Sequence, residues 1–401
     1  MDCYFKIALI ILAVQLLFTI FAIKNYRYAV SKYVRKRDSY RPKTALIVPC
    51  KGIDAAFEKN ITSFFKQDYE DYILWLVVED KADKAYEKLL QLKDELAPSS
   101  KACEVAIKIA GKSTLCSQKI HNLLYCYENL PSDIEVMAFA DSDICIRDNW
   151  LSHLVYPLCK DKYGASGGYR WFVPKKNNIA TLALSATNAK IAQLLGNSIF
   201  NQLWGGSMAI KVANFRKFGI DKIWQTSLSD DLSMSYAIKK NHLKIAFAPA
   251  CLVASYEETN WHDLFEFGRR QFLIARIVSW WTWLFGLASS LLAVIGLWGS
   301  AFMACYAVIK NFDNTYLFIA VPILFFCAQL ARAVLRQNMI SKLLKEDLQK
   351  MKAARIADIW FFWLWSIFIL IFILSSAFGR KITWRGIKYK MISPTETVVI
   401  D

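Results

Sequence analysis

The ten cysteines of this 401-residue chain form no Cys-x-x-Cys pair. A thiolate zinc site is therefore not expected, and reduced, scattered thiols in a cytosolic domain are the default. No Gly-x-Gly-x-x-Gly follows the first strand-like run, and no Gly-x-x-x-x-Gly-Lys-Ser/Thr occurs. Gly111-Lys112-Ser113-Thr114 has the ending of a phosphate loop but not its upstream glycine, so P-loop chemistry is excluded. Internal repeats and low-complexity linkers are missing. So is a small-residue cleavage site after the first apolar segment, where Lys24, Asn25, Tyr26 and Arg27 stand instead. A net charge of +16 without a recognisable reader fold does not indicate nucleic-acid binding.

What the chain has in abundance is apolar surface. It is 55% hydrophobic, with 14 Trp and 26 Phe, too apolar for a purely soluble protein. Uncharged runs cover 7–23, 277–309, 314–331 and 359–379. Runs of about 18 residues or more are transmembrane candidates. The first, with its flanks, reads as a signal-anchor over 5–23. Lys24, Arg27, Lys32, Arg35, Lys36 and Arg37 follow it, so a basic linker over 24–43 and all that succeeds it are expected in the cytoplasm. Juxtamembrane Lys and Arg near anionic lipid account for the basic balance. Ser279-Trp280-Trp281-Thr282-Trp283 looks like an aromatic belt, giving an interfacial segment over 263–285. A transmembrane region with about three spans is expected over 286–379. It includes a basic amphipathic connector at 338–356, where Ile340, Leu343, Leu344, Leu348 and Met351 oppose Lys342, Lys345, Lys350 and Lys352. A basic tail fills 380–401. Three spans would put that tail outside, whereas Arg380, Lys381, Arg385, Lys388 and Lys390 favour the inside.

Residues 44–262 read as an α/β domain with a largely parallel sheet. Thr44–Pro49 and Tyr72–Val78 are apolar strands, 105–109 is a short third, and 134–140 is a fourth. Helical patterns fill 55–65, 81–95 and 117–130 between them, which is the signature of βαβ units. Further on, 179–195 is an apolar helix, leaning to core. In such sheets ligands bind outside the carboxyl ends of the strands.

Acidic residues fall at those ends. Asp80 follows the second strand. Asp141-Ser142-Asp143 follows the fourth, where an Asp-x-Asp can hold a hard divalent cation. Asp230-Asp231 stands just before the helical run 233–240. Upstream lies Trp204-Gly205-Gly206-Ser207-Met208, two glycines that suit close approach of backbone to a ligand.

In this order the motifs resemble the membrane-bound ceramide glucosyltransferases and their bacterial relatives, which are inverting glycosyltransferases with a GT-A fold. The resemblance runs nearly end to end. It rests on Pro49-Cys50-Lys51-Gly52-Ile53-Asp54, Gln67-Asp68-Tyr69, Asp80 and Lys119-Ile120-His121-Asn122-Leu123. It continues through Gly205-Gly206-Ser207-Met208, Asp230-Asp231 and the tail Trp384-Arg385-Gly386. One stretch departs: within Gly268-Arg269-Arg270-Gln271-Phe272-Leu273-Ile274-Ala275-Arg276, Leu273 and Ile274 stand where the family has Arg-Trp.

The resemblance implies a multi-pass membrane enzyme that moves a hexose, glucose first, from a nucleotide-diphosphate sugar to a lipid hydroxyl. Asp231 is the implied general base, with Asp230 beside it. Pro49, Lys51, Asp80, Lys119, Asp141, Gly206, Ser207, Arg270 and Gln271 are implied at the nucleotide-sugar. Asp141 and Asp143 are implied ligands of Mg or Mn. A cation among Arg269, Arg270 and Arg276 is expected to face the diphosphate. His121 is expected in packing or a local hydrogen bond, and His262 is a lesser candidate for metal or acceptor. A ceramide-like acceptor is favoured, with hopanoid or diacylglycerol alcohols second. A polysaccharide synthase would want more spans and an intact Gln-x-x-Arg-Trp. A non-catalytic scaffold would have no reason to keep the acidic set together.

Overall fold

The structure is a computed structural model, and it describes residues 2–113, 116–384 and 387–400. Arg385 and Gly386 of the tail motif lie outside the described residues. Along the chain run α1 (Asp2–Tyr33), β1 (Thr44–Pro49), α2 (Phe57–Phe65), β2 (Tyr72–Val78), α3 (Lys84–Leu96), β3 (Glu104–Ile109), α4 (Gln118–Glu128) and β4 (Val136–Ala140). There follow α5 (Trp150–Val155), β5 (Tyr163–Pro174), α6 (Ile179–Ala192), β6 (Ser207–Lys211), α7 (Val212–Lys217), α8 (Ile220–Thr226), α9 (Asp230–Lys240) and β7 (Lys244–Glu257). Next come α10 (Trp261–Val278), α11 (Trp280–Val294), α12 (Ser300–Ile309), α13 (Thr315–Leu343), α14 (Lys352–Trp360) and α15 (Phe362–Ser375). The chain then forms β8 (Lys381–Trp384), β9 (Ile387–Ser393) and β10 (Glu396–Ile400).

These elements pack as two units. An α/β unit comprises Ser31–Arg170, Asn197–Ser255 and Arg380–Asp401; a helical unit comprises Met1–Val30, Trp171–Gly196 and Tyr256–Gly379. The division does not follow the hydropathy boundary expected at residue 262. The segment carrying α6 leaves the α/β sequence and packs with the helices.

The α/β unit is built on a seven-stranded sheet of order β3-β2-β1-β4-β6-β5-β7. β1 runs parallel to β2 and to β4, and β2 parallel to β3. β6 is antiparallel to β4 and to β5. Period-two alternation divides the core. Leu46, Val48, Leu74, Leu76, Val136 and Ala138 face one side, over α2, α3 and α5. Ala45, Ile47, Ile73, Trp75, Met137 and Phe139 face the other, over α4, α8 and α9. Both faces are covered, which is why these strands read as continuous apolar runs. The order also creates a switch: the chain steps outward from β1 to β3, then returns to place β4 on the other side of β1. A crevice at the carboxyl ends of β1 and β4 is the usual ligand position in such sheets.

Residues 380–401 are not a loose basic tail. They form an antiparallel sheet of order β10-β9-β8, with Ile382 and Met391 buried. It is held to α8: the Thr226 and Ser227 hydroxyls donate to the Thr395 carbonyl at 2.8 and 3.1 Å.

In the helical unit three helices are long and apolar enough to cross a membrane: Asp2–Tyr33, Trp280–Ile309 and Thr315–Leu343. The second joins α11 to α12 through a π-helical turn, Ile295–Gly299. α13 runs on through Pro322 to Leu343, so the start of the expected 338–356 connector belongs to it. The expected interfacial segment 263–285 is cut at Ser279 into α10 and α11. The last apolar run is not one straight span: α14 and α15 meet at 85°. Phe172, Ala180, Ala183, Leu184, Leu264, Ala357, Trp365 and Phe372 form one of its apolar cores. α6 is therefore core, as its composition suggested. At Gly268 a Cβ would lie 2.6 Å from the Phe372 ring, so α10 and α15 approach only because it is glycine.

Candidate active site

Register assembles the site. β4 ends at Ala140, which pairs with Ser207 at the start of β6. The turn Gly205-Gly206 therefore arrives beside Asp141. Ser117 caps α4, its hydroxyl accepting from the Ile120 amide, and so sets Lys119 in the first turn. The Lys119 ammonium lies 2.6 Å from Asp141 Oδ1 and 3.0 Å from Asp230 Oδ2, and donates to the Gly205 carbonyl at 3.3 Å. Four expected residues thus meet at one point: Lys119, Asp141, Gly205 and Asp230.

The glycine is needed there. A Cβ at Gly205 would sit 2.7 Å from both Lys119 Nζ and Asp230 Oδ2. At Gly206 it would enter the Trp204 ring, at 2.3 Å.

Asp230 and Asp231 do not precede their helix, as the sequence suggested, but begin it. Ser229 is the N-cap and accepts from the Leu232 amide. Asp231 Oδ1 receives the Ser229 hydroxyl and, at 2.7 Å, the Leu232 amide; Oδ2 receives the Gly205 amide at 2.9 Å. Both charges also lie at the positive end of α9. Trp224 ties this helix start to the sheet. Its indole donates to the Asp230 carbonyl at 3.0 Å while its ring meets Phe139, two residues before Asp141, edge-on at 5.6 Å. Sequence reasoning missed Trp224; an apolar aromatic just before an acidic pair was its only signal.

The electrostatics are lopsided: Asp141, Asp230 and Asp231 act on the Lys119 ammonium, and Asp143 is opposed by Arg170 and Lys119, so four carboxylates share two cations. Burial alone would lower the Lys119 pKa, but Asp141 and Asp230 overcome it and the net shift is upward. Desolvation raises Asp230 to about 6; Lys119 opposes this, and Asp231 and Asp141 add to it. The Asp143 side chain reaches solvent, yet enough protein surrounds it for desolvation to raise its pKa, with repulsion from Asp141 second. A divalent cation between Asp141 and Asp143 would relieve that repulsion, and an all-oxygen donor set suits Mg or Mn. No group of three or more His, Cys, Asp or Glu arranged to hold a metal ion occurs among the described residues. Two carboxylates with the rest from phosphate and water is the usual Mg arrangement, so the residues fit the ion.

Other expected residues are placed differently. Pro49 ends β1. Lys51 is ion-paired to Glu79 at 3.2 Å, and Asp80 is exposed and accepts from the Ala82 amide at 2.8 Å. Asp83, missed in the sequence although it stands as the N-cap of a charged helix, accepts from both Ala85 and the Gly52 amide and so braces the 51–54 loop. Ser207 needs correction as a donor-binding hydroxyl: it is fully buried and accepts from the Trp150 indole at 3.1 Å. His121 makes the expected local hydrogen bond, with the Ala110 carbonyl at 2.9 Å. Arg270 and Gln271 lie on α10 of the helical unit, where the Arg270 guanidinium covers the Phe267 ring at 5.7 Å. Arg269 donates to the Ser375 carbonyl at 3.2 Å and Arg276 to that of Gly379. His262, exposed on the same helix, is paired with Asp263 at 3.3 Å.

Residues 7–397 match the sequence profile of glycosyl transferase family 21. The chain belongs to that family. Its seven-stranded α/β sheet, parallel from β3 to β4, is the architecture expected from the sequence. Among solved structures it is similar to the mannosyltransferase PcManGT from Pyrobaculum calidifontis, in complex with GDP-Man and Mn2+. The identity is 13% over 93% of this chain and 97% of that one, with a TM-score of 0.44. It is also similar to GalNAc-T7 with UDP, GalNAc and Mn2+, at 14% identity over 56% of this chain and 45% of that one, TM-score 0.40.

Proposed function

We propose that this family 21 enzyme transfers a hexose, glucose first, from a nucleoside-diphosphate sugar to a membrane lipid hydroxyl, with inversion at the anomeric carbon. The observation that carries the reading is the meeting of Lys119, Asp141, Gly205 and Asp230 at the end of β4, with Asp231 on the same turn. Asp141 and Asp143 are the proposed holders of Mg or Mn. Such an ion, when bound, neutralises a departing diphosphate. Lys119 places a second positive charge beside Asp141, held there by Asp230. Asp231 is the proposed general base for the acceptor hydroxyl. Its carboxylate is aimed by the Ser229 hydroxyl and the Gly205 and Leu232 amides, and a positioned base contributes about 10²–10⁴-fold. Asp230 is the second reading for that role, favoured by its raised pKa. Pro49, Lys51 and Asp80, at the ends of β1 and β2, are proposed at the nucleotide.

The acceptor reading rests on the three helices able to cross a membrane. A lipid head group at the interface needs no extraction, and a ceramide-like hydroxyl is the first candidate, hopanoid or diacylglycerol alcohols the second. The basic residues after α1 support a cytoplasmic face for the α/β unit. The test is transfer from radiolabelled nucleotide-sugars into extracted lipids, with Asp231→Asn, Asp230→Asn and Asp143→Asn as controls. Label should enter a lipid fraction with one donor, and be lost with Asp231→Asn and Asp143→Asn. Full transfer by both would refute the assignment; loss with Asp230→Asn but not Asp231→Asn would move the base to Asp230.

A further inference from the structure

Hydropathy offers four crossings: α1, α11–α12, α13 and the α14–α15 pair. After the α/β unit three would follow, and residues 380–401 would emerge on the far side. The fold does not permit this. β8, β9 and β10 belong to the α/β unit, and Thr395 is hydrogen-bonded to Thr226 and Ser227 of α8. The chain between Tyr256 and Gly379 must therefore cross an even number of times.

We infer that α14–α15 is a re-entrant pair, seated in the leaflet on the side of the α/β unit and returning to that side. The inference rests on the membrane reading above and deepens it. Length agrees. α15 has 14 residues, about 21 Å at helical rise, against a hydrocarbon core of about 30 Å. At 85° to it, α14 adds almost nothing along that axis.

The partners at the two ends of α15 agree as well. At its start, Lys190 of α6 donates to the Phe362 carbonyl at 3.0 Å and to the Ser366 hydroxyl at 2.6 Å. At its end, Arg269 and Arg276 of α10 donate to Ser375 and Gly379. α6 leaves the α/β sequence and rejoins it, and α10 precedes the first later span, so both lie on the near side. A helix bonded at both ends to near-side elements does not reach the far side.

Charge gives the same answer. With two crossings, the only later loop on the far side is 310–314, where Lys310 and Asp313 cancel. Lys342, Lys345, Lys350, Lys352, Arg380 and Lys381 all stay near, as the positive-inside rule demands. The surface offered to lipid is apolar. Ile356, Trp360 and Phe361 are exposed around the corner, and Ile371, Leu374 and Phe378 along and beyond α15. α14 turns Ala354, Ala357 and Asp358 inward and fits a helix lying in the headgroup region.

The test uses the full chain in sealed vesicles with the α/β unit outward. One epitope follows residue 401 and a second is inserted at 311–313; retained sugar transfer shows that the tagged proteins fold. Added protease should remove the C-terminal epitope together with α/β-unit peptides and spare the 311–313 epitope until detergent is added. A protected C-terminal epitope beside a digested α/β unit would overturn the inference alone, as would digestion of the 311–313 epitope in intact vesicles. Release of the protein by alkaline extraction would instead overturn the membrane reading, and the inference with it.

Discussion

The two units both gather charge, with opposite imbalance. In the α/β unit, Asp141, Asp230 and Asp231 act on Lys119 and Asp143 is opposed by Arg170 and Lys119, four carboxylates to two cations at the mouth of a sheet. In the helical unit, Lys190, Arg332 and Arg336 are set against Asp358, an excess of cation among helices. There the surplus is met by uncharged groups. Arg332 bonds the Gln15 carbonyl at 2.9 Å and its amide oxygen at 2.5 Å, and Lys190 has the Phe362 carbonyl and Ser366. Arg336 grips Asp358 through two bonds of 2.5 Å, and Gln337 adds a third of 2.6 Å. Burial, with repulsion from Arg336 next, holds the Lys190 ammonium well below its usual range against the pull of Asp358. Cations already satisfied by the fold describe architecture. Carboxylates that outnumber their counter-charge describe a place for an ion and a substrate.

If that contrast is right, substitutions in the two units should separate activity from stability. The largest effect is expected from Asp231→Asn, a loss of about 10²–10⁴-fold in transfer, with a fall in unfolding temperature small beside that loss, since one accepted hydrogen bond goes with the charge. A parallel fall in both would erase the contrast. Next is Asp358→Ala, which leaves Arg336 buried without its anion and should destabilise by about 3–5 kcal/mol in detergent unfolding. Replacing both Arg336 and Asp358 by Leu should recover most of that loss; no recovery would mean the pair has a role beyond packing. Gly205→Ala forces apart the Lys119–Asp230 contact, and a displacement of this kind costs about 10²-fold in rate. It should leave membrane association intact.

A fourth test uses pH. His153, buried on α5, is lowered from 6.5 to about 4 by desolvation and by the nearby Arg37 and Arg147, against the pull of Asp38. Between those values the unfolded chain binds the extra proton, so stability is complete above about 6.5 and falls as pH drops toward 4. The wild-type unfolding temperature should fall through that window, and His153→Gln should flatten the profile. The smallest effect is expected from Thr226→Val, about 1 kcal/mol for one hydrogen bond, seen as faster proteolysis of 380–401.

Much of the α/β unit was legible because its physics is local. Thr44–Pro49 and Tyr72–Val78 emerge with the bounds read from sequence, since strands covered on both faces must be apolar throughout. Asp141 and Asp230 could be flagged by position, but their common partner Lys119 shows only when α4 and α9 converge. Ser207 misled because a serine beside two glycines reads as a ligand loop, and only the pairing with Ala140 turns its hydroxyl into the core toward Trp150. In the helical unit, hydropathy records composition and not direction, so the 85° corner at Phe361 was invisible. Residues 380–401 looked like a tail because their strands are mostly exposed and carry the charges of a solvated segment.

That small C-terminal sheet also bears on the order of assembly. Residues 31–255 are made first, then all the later helices, and only afterwards Arg380–Asp401. The α/β unit is therefore incomplete while α11 to α15 are being made, and closes on α8 afterwards. A chain stalled among those helices would leave α8 without its covering strands, three residues from Ser229 and the acid pair that follows it. Completion of the α/β unit thus waits on the helices between, and a chain that stops before residue 380 lacks the strands that cover α8.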